Sequence, residues 1–345
     1  MQYGPIPENI LESLALWAGK VPVPLMDSLF SILKARGLMA AVSLGVFESL
    51  AHAPMTARQL ADERKLDHTS LELLLRCMVW AGYLKLDGDK YALSEMSEKT
   101  MVVGSEMDLT GFVQWNYVQW RMVEQMESLL RTGKGVDFHK TMTDPSEWSW
   151  YQKAMLDVAR FDASVLAKSV PVKAGARKLI DLAGSHGLLG AAICRKHPPL
   201  RSTVIDLPAA IEHARRLAES AGLADIVEHR AGDIMTSDLG TDNDVALLAN
   251  IVHHFMPDQN IGLLKRLHQS LTSGGSVAIW DFETPDPQSR PAAGDGAALY
   301  FRLTSTAFCY SGNEYSRWLR EAGFGRIRVK RPAMSPGKTL VTGIK

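Results

Sequence analysis

Short apolar segments alternate with longer helical segments along the second half of the chain. The predicted strands are residues 178–182, 202–207, 227–230, 244–250, 276–282, 326–331 and 338–344. The predicted helices among them are residues 188–196, 208–221 and 258–271. Because helices that connect neighbouring strands make those strands run parallel, we predict an α/β domain over residues 171–345, with a seven-stranded sheet covered by helices on both faces.

Polar residues stand at the carboxyl ends of four successive predicted strands. A ligand of such a sheet binds outside these ends, where the strand order reverses. Gly184 and Gly187 follow the first strand and allow close backbone approach. Asp206 ends the second strand, where a carboxylate meets the ribose hydroxyls of an adenosine-type ligand. Gly232-Asp233 follows the third strand and residues 250–255 follow the fourth, so the set predicts one binding site at this edge.

The first hundred residues have the pattern of a winged helix. Residues 25–50 are apolar on nearly all helical faces, so they must be buried, and a partner subunit could bury them. Thr56 and either Thr69 or Ser70 are predicted N-caps of two further helices. Asp87-Gly88-Asp89 then separates two short alternating runs, which indicates a hairpin.

Charge argues against DNA binding by this winged helix. Residues 56–93 carry six basic and six acidic side chains, and the would-be recognition helix at 71–80 is mostly apolar. A helix that reads DNA needs basic or amide side chains on one exposed face. The whole chain has 38 basic and 38 acidic residues, so neither a nucleic acid nor an anionic membrane is expected as a partner. We therefore predict a structural or dimerising role.

The N-terminus and the cysteines predict a soluble cytoplasmic protein. Glu8 and Glu12 stand where a signal peptide would be basic, and no apolar run approaches the ~18 residues of a membrane span. Cys77, Cys194 and Cys309 lie far apart without a CxxC pair, so neither a disulfide framework nor a zinc site is expected.

Residues 106–170 are helical and rich in aromatic side chains. Most of these side chains are expected to pack in the core, but several could line a pocket for a flat apolar ligand. The candidates for the pocket are Trp115, Met155, Phe161, His254 and Phe308.

The ordered motifs of the last part resemble a known enzyme family. They are Asp181-Leu-Ala-Gly-Ser-His-Gly187, Val204-Ile-Asp-Leu-Pro208, Gly232-Asp233, Ile251-Val-His-His-Phe255 and the segment 273–281. The chain is similar over nearly its whole length to the S-adenosylmethionine-dependent small-molecule O-methyltransferases of the caffeic acid and hydroxyindole type. The resemblance implies a homodimer with a winged-helix dimerisation domain at 1–105, a helical linker at 106–170 that contributes to the substrate pocket, and a Rossmann-like class I methyltransferase domain at 171–345.

The resemblance also implies roles for single residues. The glycine turn would hold the methionine part of S-adenosylmethionine, Asp206 the ribose, and Asp233 with Ile234 the adenine. The complete implied cofactor set is Asp181, Gly184, Gly187, Asp206, Leu207, Gly232, Asp233, Ile234 and Asn250. His253 stands at the family's catalytic base, and Asp281 stands at an acid that orients it.

These residue types suit methyl transfer to a hydroxyl group. The enzyme must align the acceptor with an already activated methyl group and remove the acceptor's proton. A phenol with a pKa near 10 needs a base poised near neutrality, which histidine supplies. A carboxylate on the other ring nitrogen fixes the tautomer and supports the imidazolium. The prediction is methylation of an aromatic or polycyclic natural-product hydroxyl.

Three departures from the family pattern leave alternatives open. Ala183 and Ser185 replace glycines, His254 replaces the acid after the catalytic histidine, and a further family acid is replaced around Cys309. They motivate a second reading, an enzyme that keeps the cofactor but catalyses a rearrangement, decarboxylation or hydroxylation. A nitrogen or carbon acceptor also fits, and a ligand-binding winged-helix regulator is a third reading. The adjacent histidines raise a metal site, but side chains of neighbouring strand residues point apart, so no metal is expected.

Overall fold

The computed structural model describes residues 4–284, 286, 288, 293–333, 335 and 337–345. The backbone contacts divide the chain into two compact units, Met1–Tyr117 and Val118–Lys345. The functional division at residues 105 and 170 stays a prediction.

The first unit is mainly helical and contains a small antiparallel sheet. Its helices are α1 (Ile10–Trp17), α2 (Val23–Leu25), a π-helical segment (Met26–Phe30), α3 (Ser31–Ser43), α4 (Val46–His52), α5 (Ala57–Arg64), α6 (His68–Trp80) and α7 (Glu95–Thr100), and α8 (Thr110–Val123) crosses into the second unit. The strands β1 (Met55–Thr56), β2 (Leu84–Asp87) and β3 (Lys90–Leu93) pair in the order β1-β3-β2. Helices α5 and α6 followed by the β2–β3 hairpin form the predicted winged helix.

One predicted helix cap is confirmed and the other is wrong. Thr56 caps α5 in a reciprocal capping box with Gln59. Helix α6 starts earlier than predicted, because Asp67, not Thr69 or Ser70, is its N-cap and accepts a 2.8 Å hydrogen bond from the Ser70 amide. Aspartate is as good an N-cap as serine, so the helix begins at His68, two to three residues earlier than a cap at Thr69 or Ser70 would place it.

The apolar N-terminal helices are only partly covered within one chain. Met39, Val42 and Phe47 are buried, whereas Leu29 and Leu33 are 46% and 52% exposed. Among the described residues, no single helix is long and apolar enough to cross a membrane. The pair Val23–Ser43 and Val46–His52 meets the length and composition criteria together, but it is bent by 62°.

The second unit contains the predicted seven-stranded sheet. Its strands are β4 (Lys178–Leu182), β5 (Arg201–Asp206), β6 (Val227–Ala231), β7 (Asn243–Ala249), β8 (Leu271–Phe282), β9 (Gly325–Lys330) and β10 (Lys338–Ile344). Its helices are α9 (Met126–Thr132), α10 (Phe138–Thr141), α11 (Pro145–Ser169), α12 (Leu188–Lys196), α13 (Pro208–Ser220), a 3₁₀ turn (Val252–His254), α14 (Pro257–Ser270), α15 (Ala293–Thr304) and α16 (Gly312–Glu321). The strand order is β6-β5-β4-β7-β8-β10-β9, with only β10 antiparallel to its neighbours.

Strand β8 is longer than predicted. The sequence Gly274-Gly275 indicated a turn before a strand at 276–282, but the strand already begins at Leu271. Gly274 has φ +72°, and the pairing with β7 shifts between Asn243 and Val245. A glycine inside a strand often marks such an irregularity, which periodicity alone does not distinguish from a turn.

The core lies on both faces of the large sheet. One cluster packs Leu248 and Ile279 against α14 and α16, including Leu264 and Trp318. The other cluster packs Trp280 and neighbouring strand residues against α11 and α12. Because β4 lies between β5 and β7, the strand order reverses there, and the carboxyl ends of these strands are where a ligand is expected.

Candidate active site

A cavity of about 480 Å³ opens at the carboxyl ends of β4, β5, β6 and β7. Its size falls within the usual range of small-molecule sites. Its described walls are Asp137, His139, Lys140, Trp148, Tyr151, Gln152, Ala183, Ser185, Asp206, Leu207, Ala210, Gly232, Asp233, Ile234, Met235, Asn250, Ile251, His254, Phe255, Ser305 and Thr306. Six residues of the predicted cofactor set, Asp206, Leu207, Gly232, Asp233, Ile234 and Asn250, are therefore brought together.

The turn after β4 has a backbone that favours glycine even where the chain has none. Ala183 and Ser185 have φ angles of +54° and +48°, and Gly187 has +74°. Such angles cost a non-glycine residue about 1–2 kcal/mol. A Cβ at Gly184 would lie 2.6 Å from Asp181 Oδ2, so glycine is required there. Gly184 and Gly187 shape the turn, while Ala183 and Ser185 line the cavity.

Asp181 lies buried behind this turn rather than in the described cavity wall. Burial raises the pKa of its carboxyl group to about 7, and the nearby charge of Asp206 adds to the rise. The Gly190 amide lowers the pKa in part, but neither carboxylate oxygen has a well-formed hydrogen bond within the described residues. Asp181 is thus a buried acid that can change its charge near neutral pH.

Asp206 is held by two backbone amides. Its Oδ2 accepts from the Ser185 amide at 2.9 Å, and its Oδ1 accepts from the Leu207 amide at 2.7 Å. Burial raises the pKa of this carboxyl group, and the two amides oppose that rise. A carboxylate has about four acceptor positions, so about two remain for a ligand.

The residues after β6 form another part of the cavity wall. Asp233 Oδ1 accepts from the Met235 amide at 2.8 Å, which orders the loop. The Gly232 amide donates a hydrogen bond to the Asp206 carbonyl at 2.8 Å, which connects this loop to the end of β5. Ile234 is buried in the sheet core, and Leu207 is partly exposed.

His253 and Asp281 form a buried pair at the ends of β7 and β8. Their Nδ1 and Oδ1 atoms are 2.6 Å apart, and the two side chains are only 2% and 0% exposed. Asp281 Oδ1 also accepts from the Phe282 amide at 2.7 Å, so it is held in place. Because an ionised carboxylate only accepts hydrogen bonds, Nδ1 is the donor in this contact, and in the neutral ring the lone pair is on Nε2.

The backbone of His253 is fixed as well. Ser305 Oγ donates to the His253 carbonyl at 2.9 Å and accepts from the Ala307 amide at 3.1 Å. The His253 ring has the rings of Phe301 and His254 beside it, with centroids 4.2 Å away in both cases. In the described structure, His254 faces the cavity and His253 lies buried beside it.

The expected geometry of the adjacent histidines is wrong. They do not alternate on a strand but follow one another in a 3₁₀ turn, which brings their rings together. The His139 ring centroid is 5.0 Å from that of His254. Burial lowers the pKa of His139 to about 4 and that of His254 well below its usual value, so both are neutral near pH 7. Within the described residues, no group of three or more possible metal ligands is arranged to hold an ion.

Cys309 stands beside the buried pair. It is buried, and burial together with the charge of Asp281 raises the pKa of its thiol far above the usual value. A thiol that stays protonated supplies no negative charge, so Cys309 adds no second charge beside Asp281.

The other predicted pocket residues lie elsewhere. Trp115 is buried in the first unit. Met155 is one turn beyond Gln152 on α11, and Phe161 is 52% exposed further along that helix. Phe308 lies under the Arg302 guanidinium, 4.3 Å from its ring centroid. In the described chain Met155, Phe161 and Phe308 do not line the cavity, and their contact with a substrate stays a prediction.

Several wall residues were not predicted. Gln152 is 1% exposed, its Nε2 donates to the Ala210 carbonyl at 2.9 Å, and its Oε1 has no partner within the described residues. Trp148, Tyr151 and Gln152 have i, i+3, i+4 spacing, a signal that could have placed them on one helix face. His139 and Ser305 come from segments without a comparable pattern.

Two family models match the chain. The model of the O-methyltransferase domain matches residues 115–325, and the model of the O-methyltransferase dimerisation domain matches residues 26–102.

Relatives and solved structures match most of the chain. A 3-hydroxy-5-methyl-1-naphthoate 3-O-methyltransferase of Streptomyces sahachiroi is 27% identical, over 94% of this chain and 95% of its own. The N,N-dimethyltransferase OxyT of Streptomyces rimosus is 29% identical, over 90% of this chain and 93% of its own. The mitomycin 7-O-methyltransferase MmcR is 25% identical in sequence, and its structure matches with a TM-score of 0.80 over 96% of this chain and 99% of its own. The structure of human N-acetylserotonin methyltransferase in complex with SAM has a TM-score of 0.80 over 99% of both chains, and at 18% identity it supports the fold alone.

Proposed function

Because the chain belongs to the O-methyltransferase family, whose domain model matches residues 115–325, we propose that it methylates a hydroxyl group of an aromatic natural-product-type molecule. The methyl donor of this enzyme is S-adenosylmethionine. The observation that carries the choice of acceptor atom is the His253–Asp281 pair at 2.6 Å, because removing a hydroxyl proton needs such a base.

The cavity suits the cofactor. S-adenosylmethionine supplies a methyl group bonded to a positively charged sulfur atom. Asp206 has acceptor positions left for a ribose diol, and the buried Oδ1 of Asn250 has no partner within the described residues. Asp206 and Asp233 bring negative charge to the wall, which favours a cationic ligand. In this proposal Asp233 and Ile234 bind the adenine of the cofactor, while Gly184 and Gly187 shape the turn beside its methionine part.

His253 acts as the general base. Its Nε2 takes the acceptor's proton, and the Nδ1–H bond to Asp281 stabilises the imidazolium that forms. The burial of the pair excludes water, which strengthens this electrostatic support. Ser305 keeps the ring in position through the His253 carbonyl.

The acceptor is an aromatic molecule that meets aromatic rings and neutral histidines, since Lys140 in the described wall is paired with Asp137 at 2.9 Å. Trp148, Tyr151 and Phe255 offer flat apolar surface. His139 and His254 are neutral, so they recognise hydroxyl or carbonyl groups rather than balancing a strong charge. This wall fits a hydroxylated naphthalene ring, the kind of ring named in the naphthoate relative.

We also propose a homodimer built on the first unit. The dimerisation-domain match covers residues 26–102, and this segment exposes Leu29, Ile32 and Leu33 in the single chain. Apolar surface of this kind marks an association site.

Mass spectrometry tests the proposed reaction. The protein is incubated with S-adenosylmethionine and matched panels of hydroxylated and aminated aromatic compounds. The expected result is a methyl ether together with an equal amount of S-adenosylhomocysteine. Methylation confined to the amines would establish nitrogen as the acceptor atom, the specificity named in the OxyT relative. Binding of the cofactor without S-adenosylhomocysteine formation in either panel would refute the proposed reaction.

A further inference from the structure

Ser185 combines three features that a purely structural residue would not need. It has a left-handed backbone with φ +48°, it lines the cavity, and its Oγ is buried without a hydrogen-bond partner in the described chain. Left-handed backbone at a non-glycine residue costs free energy and persists where the surroundings enforce it, commonly at functional sites. A buried hydroxyl without a partner adds a second cost.

Contacts on both sides hold Ser185 in this conformation. Its amide donates to Asp206 Oδ2 at 2.9 Å, and its carbonyl lies 3.0 Å from His229 Nε2. Burial lowers the pKa of His229, which keeps the ring neutral, with Nε2 as the donor in this contact. The backbone of Ser185 is therefore fixed between the ends of β5 and β6, and it cannot leave the left-handed conformation without breaking these bonds.

The position of Ser185 next to Asp206 identifies what its hydroxyl can meet. Asp206 is the acid we assign to the ribose, and Ser185 bonds the same carboxylate through its amide. We propose that Ser185 Oγ makes an additional hydrogen bond to bound S-adenosylmethionine, where its ribose adjoins the amino-acid part. The inference rests on the proposed function, because it takes the cofactor as the occupant of the cavity.

Glycine would make the backbone of this turn without strain but could not make that bond. Ala183, in the same turn, shows that an alanine side chain is accommodated at φ +54°. Ser185→Ala therefore keeps the backbone geometry and removes only the hydroxyl. Since Oγ has no partner in the described protein, its removal should leave the unliganded fold intact.

Calorimetry separates a binding role from a structural one. For Ser185→Ala, the dissociation constant of S-adenosylhomocysteine should rise about 3–10-fold, as expected for one lost hydrogen bond. The melting temperature of the unliganded protein should not fall, because Ser185→Ala removes a buried hydroxyl that has no partner in the described protein. A lower melting temperature with unchanged affinity for S-adenosylhomocysteine would show that the hydroxyl is structural. If neither the melting temperature nor the affinity changes, the hydroxyl contributes to neither folding nor binding. Either result overturns the inference.

Two glycine variants complete the design. Ser185→Gly relieves the backbone strain, so its melting temperature should rise by about 2–4 °C while its affinity falls at least as much as in Ser185→Ala. Arg326→Gly is the matched control, because Arg326 also has φ +48° but lies at the exposed start of β9. Its melting temperature should rise similarly with unchanged affinity. If wild-type protein does not bind S-adenosylhomocysteine at all, the proposed function fails, whereas unchanged affinity in Ser185→Ala refutes this inference alone.

Discussion

At the scale of single residues, carboxylates on neighbouring strands have different environments and different expected roles. Asp206 lies in the cavity wall with two backbone amides bonded to it, so it can remain charged and accept further hydrogen bonds. Asp181 lies buried behind the glycine turn, where its charged form is disfavoured. The first is therefore expected to govern binding, and the second to govern how stability depends on pH.

Replacing Asp206 should weaken cofactor binding. Asp206→Ala removes a charged acceptor of two hydroxyl groups, so the binding free energy of S-adenosylhomocysteine should fall by about 2–3 kcal/mol in titration calorimetry. Glu212→Ala, an exposed residue of the following helix α13, is the control and should bind normally. Unchanged affinity in Asp206→Ala would remove this residue from the site.

Replacing Asp181 should change the pH dependence of stability. With a pKa of about 7 in the folded state and about 3.9 when unfolded, the folded protein holds a proton that the unfolded chain releases between these values. The protonated carboxyl group therefore contributes stability that is full below about pH 4 and lost as the pH rises through about 7. Asp181→Asn stays neutral, so its free energy of unfolding relative to wild type should rise over this range, by on the order of 4 kcal/mol.

Denaturant unfolding at several pH values measures this difference. The buried His139 and His186, with pKa values lowered to about 4, give the opposite slope between about pH 4 and 6.5 in both proteins. Subtracting the wild-type curve cancels that slope. A difference that does not depend on pH would show that Asp181 has an ordinary pKa.

At this scale the sequence predicts the strand-end residues well and the rest of the wall poorly. Asp206, Asp233 and His254 follow directly from strands with clear hydrophobic patterns. His139 and Ser305 come to the cavity only through tertiary packing, and local composition does not encode that. The strain at Ser185 could be suspected only from the glycine expected by resemblance.

At the scale of elements, α11 is tied to the sheet by a buried polar cluster. Asp162 on α11 accepts from Trp280 Nε1 of β8 at 3.0 Å and from Lys338 Nζ of β10 at 2.5 Å. The opposite end of the same helix carries Trp148 and Tyr151 in the cavity wall. The cluster therefore sets where that wall lies relative to the strand ends.

Breaking this cluster should cost stability. Asp162→Ala leaves the buried Lys338 ammonium and the Trp280 N–H without their partner, so the free energy of unfolding should fall by about 3–5 kcal/mol. The exposed Glu212–Arg216 pair is the contrast, and Arg216→Ala should cost less than about 1 kcal/mol. Equal losses in the two variants by denaturant unfolding would show that the cluster does not anchor the helix.

The elements themselves were largely predictable. Strands β4 and β10 and helix α12 have the predicted bounds, because their apolar periodicity is strong and turn residues flank them. The errors lie where local signals compete. The glycine pair predicts a turn at Gly274, which lies within β8, and the strand pattern predicts that the two histidines alternate, although they lie in a 3₁₀ turn.

At the scale of the whole molecule, the first unit should hold two copies together. We expect an interface above about 2,000 Å² in total, as in obligate dimers. Leu29→Glu combined with Leu33→Glu places two charges on the exposed apolar segment and should give monomer or aggregate in light scattering. Leu130→Glu, at an exposed position of α9 in the second unit, should leave the dimer intact.

Deleting residues 1–50 gives a second check on the same interface. The deletion removes α1 to α3 and most of α4, so the rest of the winged helix loses its apolar cover. We expect insoluble or aggregated protein. A well-behaved, active monomer after this deletion would contradict the proposed assembly.

The central claim is that His253 removes the acceptor's proton, and the single-turnover rate of methyl transfer in His253→Ala tests it most directly. At neutral pH the rate should fall by about 10²–10⁴ with unchanged affinity for S-adenosylhomocysteine, and the deficit should shrink at high pH, where a phenol ionises unaided. His254→Ala, which removes the neighbouring imidazole that lacks a carboxylate partner, should lose less. A His253→Ala protein that methylates at the wild-type rate at neutral pH would contradict the account.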